Sequence, residues 1–262
     1  MKSSVLSTFV LALVFGSCLA QERYAGPIID MHLHAQDSIW ADKQLCFPQP
    51  CEGGGATIAK SIEEVREMTI RAMDEHNVVL GFLSGAPANV AVWVAAAPNR
   101  FIASPTVGDP TVTDIGALRR DYEIGKFGGM GEIASQYYGY APSDEAVLQF
   151  FALAAEFDVP AHVNTLGNGA QLPSFRVSKG DPRMLELALV KFPELQIFNE
   201  NCGFPFADEM TAMMYQYPQL YCDVSTILHL MPRDAALRQH RVTCRSRPWH
   251  SHHVRFRSND LA

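Results

Sequence analysis

From residue 27 onward, short apolar runs alternate with amphipathic stretches, and this alternation constrains the fold more than any other feature of the chain. Residues 27–34 read as a buried strand. Ser61-Ile62-Glu63-Glu64 forms a capping box that opens a helix through His76. Strand-like runs follow at 78–83, 101–107, 128–134, 160–165, 195–201 and 220–225. Helix-like stretches lie between them at 89–97, 114–122, 182–191 and 207–215, and Ser143 is expected to cap a further helix ending at Phe157. Seven strand–helix repeats with short connections predict a parallel sheet covered by helices. An open, doubly wound sheet shows the same alternation. The repeat count, and the lack of a Gly-rich phosphate loop after the first strand, favour a closed (β/α)8 barrel.

In a parallel barrel the C-terminal ends of the strands carry the active site. Asp30, His32 and His34 end the first strand at spacing two, so they are expected on one face. Two imidazoles held together can bind a divalent metal, which acidifies a bound water to a hydroxide nucleophile. A bare HxH pair is weak evidence, but at the end of the first strand of a βα repeat it gains weight. Glu132 ends the fourth strand and His162 lies on the fifth, and both join the candidate set. Asp223 on the seventh strand is read as structural, and His229 as packing on a helix face. The chain contains no Gly-x-Ser-x-Gly elbow, dinucleotide fingerprint or P-loop.

Residues 1–20 stand apart. Lys2 precedes an apolar run from Val5 to Gly16, and small residues lead to Ala20. This pattern predicts a secretory signal peptide and an exported protein, periplasmic or secreted. Lipoprotein anchoring at Cys18 is the lesser alternative. About 240 residues then remain, close to the roughly 250 of one barrel. In an oxidising compartment Cys46 and Cys51 form a local disulfide or remain two thiols, and both readings stand. Cys202 and Cys222 lie in apolar strand-like runs and are expected to be free and buried.

Four motifs together resemble a known family: Ile29-Asp30-Met31-His32-Leu33-His34, Gly131-Glu132-Ile133, Pro160-Ala161-His162 and Cys202-Gly203-Phe204-Pro205. In that order and at those intervals, the chain is similar to the amidohydrolase-related metal-dependent TIM barrels, which include hydrolases and some decarboxylases. The resemblance spans residues 25–234. It implies that His32 and His34 are metal ligands, that His162 is a third ligand or lies beside the metal, and that Glu132 is a ligand or a polar wall of the site. The implied metal is divalent, with zinc the usual one. Sixth strands of the family often end in histidine where this chain has Asn201, which can hydrogen-bond a substrate but cannot act as a base near neutral pH. Glu200 or an aspartate near the metal would then take that role, or the chemistry differs.

The eighth strand of the family ends in Phe-Gly-Ser-Asp, which this chain lacks. From residue 233 the chain turns basic, with seven Arg and two Asp and neither Lys nor Glu, against a formal charge of −7 overall. Residues 252–260 are compatible with codons that spell Ile-Met-Phe-Gly-Ser-Asp in another frame. The expected organisation is therefore a signal peptide at 1–20, a barrel of seven strands at 21–234 and an aberrant, frameshifted tail at 235–262. Missing the eighth strand would expose the edges of strands one and seven.

The activity expected is hydrolysis of an amide, lactone or related carbonyl by metal-bound hydroxide. Nonoxidative decarboxylation on the same fold is one alternative, and an inactive exported binding protein is another. A small-molecule substrate is the expected partner, with no nucleic acid and no membrane span. Self-association is left open.

Overall fold

In the computed structural model, the described residues are 26–36, 59, 61–167 and 172–225. The expected signal peptide, Cys18, Cys46, Cys51, His229 and the basic tail lie outside them. Seven strands run in chain order: β1 (Ile28–His34), β2 (Val78–Gly85), β3 (Phe101–Pro105), β4 (Met130–Ile133), β5 (Ala161–Asn164), β6 (Ile197–Glu200) and β7 (Leu220–Cys222). Helices α1 (Ile62–Glu75), α2 (Pro87–Ala96), α3 (Ile115–Glu123), α4 (Glu145–Glu156), α5 (Glu186–Lys191) and α6 (Ala207–Gln216) connect them.

Local chemistry sets the ends of these elements. The Ser61 hydroxyl accepts the Glu64 amide at 3.1 Å and starts α1. Asp114 does the same for α3 through the Ala117 amide. The expected cap at Ser143 is displaced by one residue: Asp144 is the N-cap of α4, and its carboxylate accepts the Ala141 amide instead of an amide of the helix. The stretch expected to be one helix over 182–191 begins as a 3-10 turn, Pro182–Leu185, before α5.

All strand pairings are parallel, in the order β1-β2-β3 and β4-β5-β6-β7, with the Val107–Ile133 bridge joining the two groups. A doubly wound sheet reverses its strand order at a switch point; this order never reverses, as a barrel requires. Among the described residues β1 pairs only with β2, and β7 only with β6. The arc nevertheless comes round, because His32 of β1 touches Asp223 and Ser225, just past β7.

Outward-facing residues pack under the helices in one large core that includes Leu83, Trp93, Tyr122, Phe150, Phe151 and Ile197. Each large apolar side chain buried there contributes roughly 1.5–3 kcal/mol. The inward faces are narrower and aromatic. The His162 ring stacks on Phe82 at 3.5 Å between centroids and on Phe198 at 4.8 Å, and Phe198 stacks on Tyr221 at 4.9 Å. This row crosses the interior from β2 to β7 and floors the C-terminal mouth. Gly129 makes room for it: a Cβ there would lie 2.1 Å from the Phe82 ring.

Candidate metal centre

Strand alternation brings the site together. On β2, Leu80, Phe82 and Ser84 share a face; the first two fill the interior, and Ser84 at the end meets His34. On β6, Phe198 and Glu200 share a face in the same way, with Phe198 below and Glu200 at the rim. Strand β4 departs from strict alternation. Its register with β5 breaks between Met130 and Ile133, so Met130 meets Tyr122 of α3 while Glu132 reaches the site. Irregularities of this kind re-aim side chains next to functional sites.

The ligand atoms of His32, His34 and Glu132 lie within 4.8 Å of one another. His32 Nε2 and His34 Nε2 are 3.1 Å apart. Two nitrogens bound to one tetrahedral ion at 2.0–2.1 Å would be separated by about 3.3 Å. The far sides of both rings are held. His32 Nδ1 is 3.2 Å from Asp223 Oδ2 and 3.0 Å from Ser225 Oγ, and His34 Nδ1 is 3.1 Å from Ser84 Oγ. A carboxylate accepting from Nδ1–H leaves the Nε2 lone pair free to bind a cation, the usual outer support of a metal-bound histidine. Glu132 is steered by Asn164, whose amide donates to Oε1 at 2.6 Å. The same amide reaches the Tyr137 hydroxyl at 3.3 Å.

The electrostatics favour a cation. Asp30, Glu132, Glu200 and Asp223 surround the two rings, and no Lys or Arg among the described residues pairs with any of these carboxylates. Burial, then the charges of Glu132 and Asp223, push the Glu200 carboxyl well above the usual range. Burial likewise raises Asp30, although the His32 amide partly offsets it by donating at 3.0 Å. Burial would lower His32, but the hydrogen bond and charge of Asp223 outweigh it and the net shift is upward. For His34 burial prevails, and its value falls. Tyr137 is pushed to about 12 by burial and then by the charge of Glu132. Imidazole and carboxylate donors, converging with excess negative charge, fit a divalent cation.

The predicted residues are therefore not all in one place. His32, His34 and Glu132 converge. His162 lies outside that trio, fully buried in the aromatic row, with Nδ1 3.6 Å from Glu200 Oε1. Burial, then the nearby His32, lowers His162 to about 3. Asn201 sits in a left-handed turn after β6. Its backbone amide donates to Asp223 Oδ1 at 3.3 Å, and its side-chain oxygen accepts from Ser225 at 3.4 Å. Three other residues take up positions at the centre that the sequence reading gave less weight. Asp223, read as structural, holds His32, Ser84 holds His34, and Glu200 Oε2 stands 3.4 Å from His32 Nε2. The available signal was position alone: each is at or just past the C-terminal end of its strand.

The expectation for Cys202 and Cys222 is corrected. They form a disulfide, with Cα atoms 4.9 Å apart. Cys202 lies past the end of β6, in the turn that folds back toward β7, so parallel neighbours bring the two sulfurs together.

The sequence matches the family model described as Amidohydrolase over residues 29–256. The chain belongs to the amidohydrolase family. Solved structures agree on its fold. An uncharacterised TIM-barrel protein from Bordetella bronchiseptica superposes with a TM-score of 0.53 at 17% identity, over 68% of this chain and 66% of that one. A probable 2-pyrone-4,6-dicarboxylic acid hydrolase from Acinetobacter baumannii, with citric acid bound, gives 0.52 at 13% identity, over 84% and 79%. A putative amidohydrolase from Staphylococcus aureus gives 0.51 at 14%, over 84% of each chain. No curated protein matches the chain. This amidohydrolase has no helix among the described residues that is long and apolar enough to cross a membrane.

Proposed function

We propose that the chain is a divalent-metal-dependent hydrolase of an amide, lactone or related carbonyl, with His32, His34 and Glu132 holding the cation. The observation that carries this reading is the pair of Nε2 atoms 3.1 Å apart, each ring braced at Nδ1 by an oxygen on the opposite side. Bound there, a divalent cation supplies Lewis acidity that polarises a carbonyl and activates water. Zinc suits two imidazoles and a carboxylate.

The chain's own residues supply the rest. Asp223 fixes the orientation and tautomer of His32, and its own carboxyl stays ionised. Burial works to raise it, but the His32 hydrogen bond and charge hold it below the usual range. Glu200, with Oε2 3.4 Å from His32 Nε2, is placed to take a proton from the attacking water and hand it to the leaving group. Asn164 and the Tyr137 hydroxyl form a polar wall beside Glu132 that can orient a substrate oxygen. The aromatic floor of Phe82, His162 and Phe198 excludes water from below.

The test is turnover of a panel of amides, lactones and aromatic carboxylic acids by the zinc-loaded chain, with product analysis. Cleavage of the acyl C–N or C–O bond by water, giving a carboxylic acid and an amine or alcohol, is expected, with loss of turnover in Glu200→Gln. Carbon dioxide release from the acids, without hydrolysis, would instead assign decarboxylation. Binding without turnover would assign the chain as a binding protein. We further propose export, in keeping with the N-terminal sequence and the Cys202–Cys222 bond.

A further inference from the structure

We infer that the Cys202–Cys222 disulfide is a positioning device for the cation site: it fixes Asp223, and through Asp223 the His32 ring. The inference rests on reading His32, His34 and Glu132 as the cation site. Cys222 is the last residue of β7, a three-residue strand that pairs, among the described residues, only with β6. Asp223 follows immediately, beyond the last paired position. Its amide reaches Asn199 O at 3.3 Å, a long bond for a residue that must aim a carboxylate. On the other side, Cys202 follows Asn201, and both hold left-handed backbone, with φ of 47° and 61°.

The disulfide thus joins two segments whose neighbouring residues also meet. The Asn201 amide donates to Asp223 Oδ1, and the Ser225 hydroxyl contacts Asp223 at 2.7 Å, Asn201 at 3.4 Å and His32 Nδ1 at 3.0 Å. Non-covalent support for Asp223 therefore consists of a short strand end and a few exchangeable hydrogen bonds. Ends of that kind open at low free-energy cost. With the bond intact, Asp223 stays against His32. With it cut, Asp223 and Ser225 are free to leave together, and His32 loses both partners at Nδ1.

The proposal is tested on the full chain by cobalt(II) affinity, measured by competition with a chelator. The wild type is assayed before and after treatment with a phosphine. Reduction puts two electrons into the S–S bond and yields two thiols with protons from water, whose oxygen leaves in the phosphine oxide. Reduced wild type and Cys202→Ser/Cys222→Ser are expected to bind cobalt about 10–100-fold more weakly, as for loss of an outer-shell partner. Asp223→Asn should show a similar loss, and adding it to the serine pair should cost little more. Phosphine should not affect the serine pair, which excludes the other cysteines.

Equal affinity in oxidised and reduced protein, or fully additive losses, would overturn the proposal while leaving the cation site intact. No cobalt uptake by oxidised wild type would overturn the cation site and this inference with it. Should the serine pair fail to fold, phosphine reduction of folded wild type carries the comparison. Loss of its far-ultraviolet circular dichroism on reduction would make the bond a stabiliser of the whole fold, and would overturn the proposal.

Discussion

His32 and His34 carry the cation-site reading, and either one replaced by alanine removes an imidazole donor. Each variant is expected to lose at least about 100-fold in zinc affinity by calorimetric titration, with a near-wild-type circular dichroism spectrum. Ser84→Ala, which removes the partner of His34 Nδ1, should cost less than either, because both imidazole donors stay in place. The HxH spacing made this pair visible in the sequence, since alternation alone puts i and i+2 on one face. Asp223 could not be read that way. Its role depends on meeting a ring 191 positions away, and no local pattern encodes that approach. His162 shows the opposite limit: its strand and inward face were legible, but its place between Phe82 and Phe198 depends on rings from two other strands.

His162 also leads to a pH prediction for the metal-free protein. Its value in the folded state, about 3, lies below the ordinary 6.5, so the unfolded chain binds the extra proton first. Stability contributed by keeping this ring neutral is full above 6.5 and is lost as pH falls from there toward 3, with a slope of up to about 1.4 kcal/mol per pH unit. His162→Phe, which keeps the stack, should show a shallower acid slope in urea unfolding at a series of pH values. An unchanged slope would show that the ring is not buried in neutral form.

Elements were more legible than their roles. The capping box at Ser61 and the presence of a helix in each of the six helical stretches follow from local hydrogen bonding and periodicity. The cap of α4 fell one residue late because Ser143 and Asp144 are both good caps, and tertiary contacts chose between them. The break in β4 was not legible, since the four residues Met-Gly-Glu-Ile carry no sign of which way Glu132 turns. Ser61→Ala should lower stability by about 1 kcal/mol, read from the urea midpoint, and leave zinc affinity unchanged. Gly129→Ala acts on the site from below. Its new methyl group meets the Phe82 ring, which stacks on His162, so a loss of about 1–3 kcal/mol is expected together with weaker zinc binding. A stable Gly129→Ala protein with unchanged affinity would mean that the aromatic floor does not support the site.

At the scale of the molecule, the order of the strands and their single direction make the barrel; the sequence alternation announced the direction, and the repeat count favoured the order. The disulfide was not announced, because Cys202 and Cys222 stand 20 residues apart in strand-like runs that look alike whether the sulfurs are free or bonded. The whole fold converges on one claim, that four strand ends place two imidazoles and their carboxylate neighbours around one cation. A ligand that binds only the folded state raises its stability by mass action, by about 2.7 kcal/mol at a hundredfold excess over Kd. The most direct measurement is therefore the thermal midpoint of the chelator-stripped chain with and without zinc, beside His32→Ala/His34→Ala. The expected result is a rise of several degrees on adding zinc to the wild type and none in the double variant. An equal shift in both, or no shift in the wild type, would contradict the account.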